Sequence, residues 1–367
     1  MYGLCDFPAL SECSCSSLLH NGAGVKHALS LLAVRDALRH PWRVLNPAHA
    51  AVFLIPAQAG MLARGMCGKQ AHTSERLRKV LKRSKWFRRR GGADHVLVAD
   101  DFAVQSTLLD RWLTPAVAVG HFERGRLPRP RAFSVGYSDV YSVFGESSVF
   151  GASATPKILF RDVPLSDRTL FVFWAGRADV GTRHAHYGAR HAMVHALAKL
   201  DDEQRAAFAE LGGAWITSAR DVDDVSLPLC HNASTIVVGC RTIVPRLDAQ
   251  RLRERARFCL LLRGDTPTSD ALTNNMAAGC VTVAIDDGEL MAELPFGTRV
   301  PWSSVLLTID ETVFVGDPVG ALLGLQTVSA HRLALLSHLT RMHRADLMLH
   351  HPRSRWFENI LIEASQP

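Results

Sequence analysis

Two short apolar runs joined by a helical segment constrain the fold of this 367-residue chain more than any other feature. The runs cover residues 258–262 (FCLLL) and 280–285 (CVTVAI), and each is short enough for one buried strand. Residues 268–278, which lie between them, have helical character. The stretch therefore predicts a β-α-β unit of an α/β fold, with its strands parallel and buried.

The loop between the first of these strands and the helix runs from Arg263 to Ser269 and reads RGDTPTS. It follows the carboxyl end of a buried strand, which is where open α/β sheets bind their ligands. Thr266 is the predicted N-cap of the helix, and Pro267 suits the first helical position. The N–H groups and dipole of the helix start, together with the hydroxyls and Arg263, suit an anionic phosphate.

Composition limits the partners of such a sheet without selecting one. Hydrophobic residues make up 47% of the chain and charged residues 21%, which is typical of a globular protein and not of a disordered one. The net charge of +7 favours anionic partners such as nucleotides, acidic glycans, anionic lipid surfaces or nucleic acid. The longest N-terminal apolar piece, residues 28–34, is too short to span a bilayer, so we expect no transmembrane or signal segment here.

The cysteine and histidine spacings predict no metal site. Eight cysteines are too sparse for a disulfide scaffold, and the sequence contains no CxxC pair. Cys259 and Cys280 fall inside the predicted buried strands, where we expect free thiols that pack as small hydrophobes. His191 and His195 lie four residues apart, but no acidic residue stands between them in the HExxH manner. Packing or surface roles are expected for both.

The first half of the chain contains a strongly basic segment. Residues 51–55 predict a strand, and residues 73–90 predict a helix. The apolar positions of that helix form its expected buried face: Leu77, Val80, Leu81 and Phe87. Nine of the fifteen residues from 76 to 90 are basic. They indicate a polyanion patch for nucleic acid or acidic glycan or, as we favour, a solvated helix face.

An acidic pair, Asp100 and Asp101, directly follows the next predicted strand, residues 96–99. Side chains just past the carboxyl end of a strand face the ligand side of an open α/β sheet. Two roles stay open for this pair, namely catalysis and capping of the following helix.

The polar stretch at 145–168, rich in Gly, Ser and Pro, predicts a linker between two domains. We expect a poorly ordered N-terminal segment at 1–24, a first α/β domain at 25–165, a second at 166–345, and a tail at 346–367 that crosses back to the first domain. The second domain opens with a strand at 170–174, and Arg177 and Arg183 follow it in a cationic loop.

Four segments of the chain resemble the exostosin-like glycosyltransferases, in that family's order. They are NPAHAAVFLIP at 46–56, GGADHVLVADD at 91–101, LFVFWAGR at 170–177, and RFCLLLRGDTPTSDALTNNMAAGCVTVAIDDGELMAELPF at 257–296. The resemblance covers residues 46 to 345. It implies a GT-B architecture, in which two Rossmann-like domains face each other across a cleft. It also implies an inverting, metal-independent transfer of a sugar from a UDP-sugar to a glycan hydroxyl, without a further cofactor.

The resemblance also assigns roles to individual residues. Arg177 and Arg183 become candidate clamps for the donor diphosphate. The nucleotide-sugar loop would be formed by Arg263, Gly264, Asp265, Thr266 and Ser269. An ion pair that fixes the loop is the alternative role for Arg263 and Asp265. Asp101, and after it Asp100, become the candidate bases that take the acceptor proton, whereas Asp94 and His95 are expected to hold their loop by hydrogen bonds.

The sequence departs from the family pattern in the helix behind the loop. Where many relatives carry arginines and then an acidic residue, this chain has Asp270, Ala271 and Asn274. Asn274 is still able to hydrogen-bond a ribose, without charge assistance. A catalytically weak, glycan-binding partner subunit is therefore the alternative to an active transferase.

The resemblance implies further properties of the protein. The expected partners are a nucleotide sugar, a glycan acceptor, and a second copy or another glycosyltransferase in a homo- or hetero-oligomer, and nucleic acid is not expected. The expected location is the Golgi lumen, with membrane contact only through an anchor that this sequence does not contain.

Overall fold

The computed structural model describes residues 29–57, 59, 70–99, 104, 113–121, 125, 127, 129–137, 160, 162–178, 187–218, 229–230, 236–242, 244–264 and 266–366. The chain divides into two compact units. Unit 1 comprises Met1–Lys157, Pro295–Arg299 and Ala345–Pro367, and unit 2 comprises Ile158–Leu294 and Val300–Arg344. The prediction for residues 1–24 lies outside the described residues, as do the site predictions for Asp100, Asp101, Arg183 and Asp265.

Unit 1 contains a four-stranded parallel sheet in the order β1-β2-β3-β4. Its described strands are β1 (Phe53–Leu54), β2 (His95–Ala99), β3 (Ala118–His121) and β4 (Ala132–Ser134). Its described helices are α1 (Leu29–Arg39), α2 (Gln70–Arg83), α3 (Lys85–Arg89) and α13 (Trp356–Ser365). Strand β2 is buried along its whole length, as its continuous apolar run requires. Helices α1 and α13 pack against it.

The basic segment at 73–90 forms two helices, so the prediction of one continuous helix is wrong. Ser84 interrupts it because its hydroxyl accepts hydrogen bonds from the backbone N–H groups of Trp86 and Phe87, at 3.2 and 3.3 Å, and so starts α3. The predicted buried face is confirmed for Leu77, Leu81 and Phe87, which join the core of unit 1. Val80 packs against that core half-buried.

Unit 2 contains a six-stranded parallel sheet in the order β10-β9-β8-β5-β6-β7. Its described strands are β5 (Leu170–Gly176), β6 (Ala214–Ser218), β7 (Val237–Arg241), β8 (Ala256–Leu261), β9 (Val281–Asp286) and β10 (Leu307–Asp310). From β5 the chain builds outward through β6 and β7, and then returns to place β8, β9 and β10 on the other side. This is the strand order of a Rossmann-like sheet. The prediction of an α/β fold is confirmed.

The helices of unit 2 connect these strands. They are α4 (Gly188–Leu197), α5 (Asp202–Glu210), α6 (Arg246–Arg255), α7 (Asp270–Ala278), α8 (Leu290–Glu293), α9 (Trp302–Val305), α10 (Glu311–Gly316), α11 (Pro318–Gly324) and α12 (Ala330–Leu347), the last of which ends in unit 1. No single described helix is long and apolar enough to cross a membrane, although the bent pair Pro318–Thr327 and Ala330–Leu347 passes that test together.

The expectation of free thiols at Cys259 and Cys280 is wrong, and a second disulfide joins Cys230 to Cys240. Cys259 in β8 is bonded to Cys280, which directly precedes β9, with their Cα atoms 5.9 Å apart. Cys230 is bonded to Cys240 in β7, with their Cα atoms 5.1 Å apart. Adjacent strands bring the first pair together, because Cys259 stands opposite Thr282 in the β8–β9 register. The spacing of Cys259 and Cys280 in the sequence does not indicate that the two residues are in contact.

The C-terminal tail belongs to unit 1. The indole N–H of Trp356 donates to the carbonyl of Val135, at 3.1 Å, just past the end of β4. Arg355 forms a bidentate ion pair with Asp346, with N···O distances of 2.7 and 2.8 Å. Trp356 is 1% exposed, so α13 is an integral part of the unit's core.

Candidate functional site

The strand order of unit 2 brings two loops to one point at the carboxyl edge of its sheet. Strands β5 and β8 are hydrogen-bonded neighbours. The strands that follow β5 are added on one side of this pair, and those that follow β8 are added on the other. Such a reversal opens a crevice between the two following loops, and ligands of open α/β sheets bind there. The loop after β5 begins at Arg177, and the loop after β8 contains residues 263–269. Arg177 and the described residues of the 263–269 loop therefore lie at this edge of the sheet.

The loop after β8 is held by its own hydrogen bonds. The backbone N–H of Gly264 donates to the carbonyl of Thr266, at 3.1 Å. The Thr266 hydroxyl donates in turn to the carbonyl of Thr268. Thr266 and Thr268 are 3% and 1% exposed. Gly264, Thr266 and Thr268 thus share hydrogen bonds within the loop, and both threonine side chains are buried.

Helix α7 begins at Asp270, and Ser269 is its N-cap. The Ser269 hydroxyl accepts a hydrogen bond from the N–H of Ala271, at 3.3 Å. The prediction that Thr266 caps the helix and Pro267 occupies its first turn is wrong, because the helix begins only at Asp270 and Ser269 accepts the N–H of its first turn. The half-buried Ser269 therefore lies where the N–H groups of the helix start converge.

Arg263 forms ion pairs with two carboxylates from the segment that follows β9. Its Nη1 atom donates to Asp287 and, at 2.7 Å, to Glu289. The Arg263 and Asp287 side chains are 15% and 10% exposed, whereas Glu289 is 64% exposed. Burial opposes charge on Arg263, but the two hydrogen bonds outweigh it and raise the pKa of the guanidinium. These ion pairs give Arg263 its alternative role, that of fixing the loop, with Asp287 and Glu289 as its partners.

Asp287 is stabilised as a carboxylate by the same contacts. Burial favours its neutral form, but hydrogen bonds from Arg263 and from the backbone N–H of Glu289 lower the pKa of Asp287 below its ordinary value. The pair therefore stays charged at neutral pH, and it ties the loop after β8 to the loop after β9.

Arg190 joins the two loops of the crevice from the first turn of α4. Its Nη1 donates to the carbonyl of Arg177, at 3.1 Å, and its Nη2 donates to the carbonyl of Leu262, at 2.8 Å. The guanidinium is 4.9 Å from the ring centroid of Tyr187. A Cβ atom at Gly264 would come within 2.7 Å of Arg190 Nη2. Glycine at position 264 therefore allows the close approach that positions the loop.

The remaining predicted donor residues differ in their surroundings. Arg177 is exposed at the end of β5. Asn274 is half-buried in α7, and its backbone carbonyl accepts a hydrogen bond from Gln250, at 3.4 Å. Its neighbour Asn275 is 1% exposed and donates to the carbonyls of Cys259 and Leu260. Asn275 therefore anchors α7 on β8.

Asp94 and His95 hold the start of β2 in unit 1. Asp94 accepts a hydrogen bond from Arg89, at 2.7 Å, and lies 2.8 Å from His95 Nδ1. The hydrogen bonds from Arg89 and His95 outweigh burial and lower the pKa of Asp94, whereas burial lowers the pKa of His95. His95 stacks on Phe53, with ring centroids 4.9 Å apart. These contacts are those of a packed structural pair, and the candidate bases Asp100 and Asp101 directly follow β2 in the sequence.

Among the described residues, no group of three or more histidines, cysteines or acidic residues is arranged to hold a metal ion. His191 and His195 face each other on α4, with ring centroids 4.0 Å apart.

Sequence reasoning missed three residues of the crevice, namely Arg190, Asp287 and Glu289. A weak signal existed for the acidic pair, since DDGE follows the second buried run just as RGDT follows the first. Arg190 carried no signal that separates it from the other basic residues of its segment.

Comparison of the sequence with known proteins identifies a distant relative. No family model matches the chain. A protein described as "Probable arabinosyltransferase ARAD1" from Arabidopsis thaliana is 24% identical to it over 265 residues. The match covers 69% of this chain and 48% of that protein, so the chain spans about half the length of the relative. The chain is thus similar, at a distance, to a glycosyltransferase.

Proposed function

We propose that this protein is a glycosyltransferase that moves a sugar from a nucleotide sugar to a hydroxyl of a glycan. The observation that carries the proposal is the crevice of unit 2, where an arginine-flanked loop and a capped helix start lie at the switch point of a Rossmann-like sheet. The name of the distant relative supports the reaction class. UDP as the nucleotide and inversion at the sugar follow from the resemblance to exostosin-like enzymes.

The diphosphate of the donor would lie between the loop after β5 and the start of α7. Arg177, exposed at the end of β5, supplies positive charge from one side. The first N–H groups of α7 supply hydrogen-bond donors from the other. Arg263 stands behind the loop, where its charge is balanced by Asp287 and Glu289. We therefore assign the diphosphate contact to Arg177 and the ordering of the loop to Arg263 and Arg190.

The transfer itself would be a single displacement. The acceptor hydroxyl oxygen forms a bond to the anomeric carbon as the bond from that carbon to the diphosphate oxygen breaks. A carboxylate takes the hydroxyl proton, and the nucleoside diphosphate leaves with the bonding electrons. Asp101, with Asp100 as the second choice, is the proposed base.

The two disulfides support a location in an oxidising compartment. Disulfides form and persist in the secretory pathway and are rare where glutathione keeps thiols reduced. The Cys259–Cys280 and Cys230–Cys240 bonds are therefore consistent with the proposed Golgi lumen.

A donor screen by UDP release tests the proposal. The recombinant chain is incubated with UDP-arabinose, UDP-galactose, UDP-xylose, UDP-glucuronic acid or UDP-N-acetylglucosamine and a glycan acceptor. We expect release with one of these donors, and at least tenfold less with Arg177→Ala. Arg205→Ala, an equally exposed change on α5, is the matched control. No release with any donor, or equal release by both variants, would refute the assignment.

A catalytically weak donor-binding subunit is the second candidate, and the position of Asp270 favours it. Asp270 is exposed as the first residue of α7, so its carboxylate stands where the diphosphate would bind. The negative charge of Asp270 would repel the negatively charged diphosphate and weaken its binding. Asp270→Asn is expected to tighten UDP binding several-fold in calorimetry. UDP binding by the native chain without turnover would identify this second candidate.

A further inference from the structure

We propose that unit 1 binds an amphipathic anion, a hydrocarbon chain that carries a phosphate or carboxylate, in a groove beside β1. This edge groove has a volume of about 360 Å³ and is formed by α1, the segment from 40 to 56, and α13. Strand β1 is the edge strand of its sheet among the described strands. All the described lining residues belong to unit 1, whereas the crevice is formed by residues of unit 2.

The floor of the edge groove is apolar. It is lined mainly by aliphatic side chains from α1, β1 and α13, among them Val34, Ala37, Val52, Leu54, Leu361 and Ile362. A concave apolar surface of this size, with few polar groups, is typical of sites for small apolar ligands. A hydrocarbon chain that covers it removes apolar area from water, which favours binding.

The titratable side chains that line the edge groove are all basic, namely His40, Arg43 and His49. No acidic side chain lines it in the described part of the chain. The neighbouring Glu358 lies 3.8 Å from His40 Nε2 and is the acidic group that faces this cluster from α13. The lining therefore combines a hydrocarbon surface with the positive charge of Arg43 and with imidazole groups that can hydrogen-bond, which complements a ligand with an apolar chain and an anionic head.

The rim of the edge groove exposes large apolar side chains in one short loop. Trp42 is 55% exposed, Val44 42% and Leu45 84%. Arg43, which stands between them, donates to the carbonyl of Leu38, at 3.0 Å. Apolar side chains alternating with arginine at an exposed edge are typical of surfaces that contact lipids or other amphiphiles.

The rim is held in place by contacts within unit 1. The Trp42 ring packs edge-on against His40, with centroids 5.2 Å apart, and the backbone N–H of Trp42 donates to His40 Nδ1, at 3.3 Å. His40 also packs against Phe357 of α13, at 5.4 Å. Asn46 accepts a hydrogen bond from the N–H of Ala48, at 3.0 Å. A loop held in this way loses little conformational entropy when a ligand covers it.

Direct binding of short soluble amphiphiles to the full chain tests the proposal. Decyl phosphate, decanol and inorganic phosphate are titrated at concentrations below micelle formation, with calorimetry as the readout. We expect decyl phosphate to bind at least tenfold more tightly than decanol, and inorganic phosphate not to compete. The readout does not involve sugar transfer, so its failure is distinguishable from failure of the proposed function.

Two variants and two matched controls locate the site. Ala37→Trp fills the floor and Arg43→Glu reverses the charge, and each is expected to weaken decyl phosphate binding at least tenfold. Ala206→Trp and Arg353→Glu make the same changes at exposed positions that do not line the groove, and they should bind normally. Circular dichroism melts of all four proteins verify that they are folded.

Vesicles distinguish a bilayer lipid from a soluble amphiphile as the source. Binding to phosphatidylcholine vesicles that contain phosphatidylserine, reduced by Trp42→Ala and Arg43→Glu, would identify a membrane surface. Binding of decyl phosphate alone would identify a soluble ligand. The proposal is overturned if neither probe binds, if decanol binds as tightly as decyl phosphate, or if Ala37→Trp removes only a concentration-dependent dimer in sedimentation experiments.

Discussion

Breaking the Cys259–Cys280 bond should loosen the part of the sheet from which the candidate donor loop extends. The bond closes a segment with a sequence separation of 21 residues. In the chain-entropy treatment, a loop of that length contributes about 3 kcal/mol to stability at 25 °C. The Cys230–Cys240 bond, with a separation of 10, contributes about 0.7 kcal/mol less by the same relation. The two bonds therefore contribute different amounts to stability because they close loops of different length.

Hydrogen exchange with mass spectrometry measures this effect locally, which matters because a chain with two units need not unfold in one step. Peptides that cover β8 and β9 are compared between the native chain and the double variant Cys259→Ala/Cys280→Ala. A loss of about 3 kcal/mol accelerates exchange through the opening of these strands by more than about 100-fold.

A reduced sample separates the crosslink from the packing of the sulfur atoms. Both cysteines are fully buried, so alanine also leaves a small cavity. The reduced native chain is compared with the double variant under the same reducing conditions, because both then also lack the Cys230–Cys240 bond, and this difference measures the cavity. Subtracting it from the effect of the double substitution in the oxidised chain leaves the effect of the crosslink. Equal exchange in β8 and β9 before and after reduction, or a peptide map without the 259–280 link, would refute the reasoning.

Further predictions concern single residues of unit 2. Asp287 has a lowered pKa, so its contribution is complete above the ordinary carboxylate pKa and is lost as the pH falls through the lowered value. The melting-temperature difference between the native chain and Asp287→Asn should therefore be constant near pH 6 and shrink below about pH 4; a difference that grows on acidification would contradict this. Gly239→Ala should cost more than about 4 kcal/mol in urea denaturation, because φ is +61° and a Cβ would overlap the backbone of Ala198. Gly288→Ala, at φ +88° but with nothing within 4 Å, should cost only about 1–2 kcal/mol; similar losses would show that the overlap is unimportant. Ser269→Ala removes the cap of α7 and should cost about 1 kcal/mol, visible as faster exchange in the first turn of that helix; unchanged exchange there would refute the cap.

The sequence by itself determined the elements around the candidate site. The run at 258–262 and the run at 280–285 predict buried parallel strands, because only a sheet covered on both faces suits continuous apolar residues. Both strands and the helix between them are present, as β8, β9 and α7. The spacing of Leu77 and Leu81 likewise determined which side of α2 is buried, since residues four apart lie on one face of a helix.

The side chains that accept the first N–H groups decided where the helices begin, and the sequence pattern did not identify them. Thr266 and Ser269 are both good N-cap residues. Ser269 accepts the N–H of Ala271 and is the cap, whereas Thr266 is buried in the preceding turn, where its hydroxyl donates to the carbonyl of Thr268. Similarly, Ser84 divides the basic segment because its hydroxyl competes for the backbone N–H groups of the next turn.

Only the tertiary structure decided which side chains meet at the crevice. The order of the strands places the loop after β5 beside the loop after β8, although about 90 residues separate them in the sequence. It also brings Asp287 to Arg263 and Cys280 to Cys259. These pairs depend on the register between strands, and register is set by the packing of the whole sheet, not by residues near either partner. For that reason the candidate phosphate-binding loop could be predicted from the sequence, whereas the ion pairs and the disulfide near it could not.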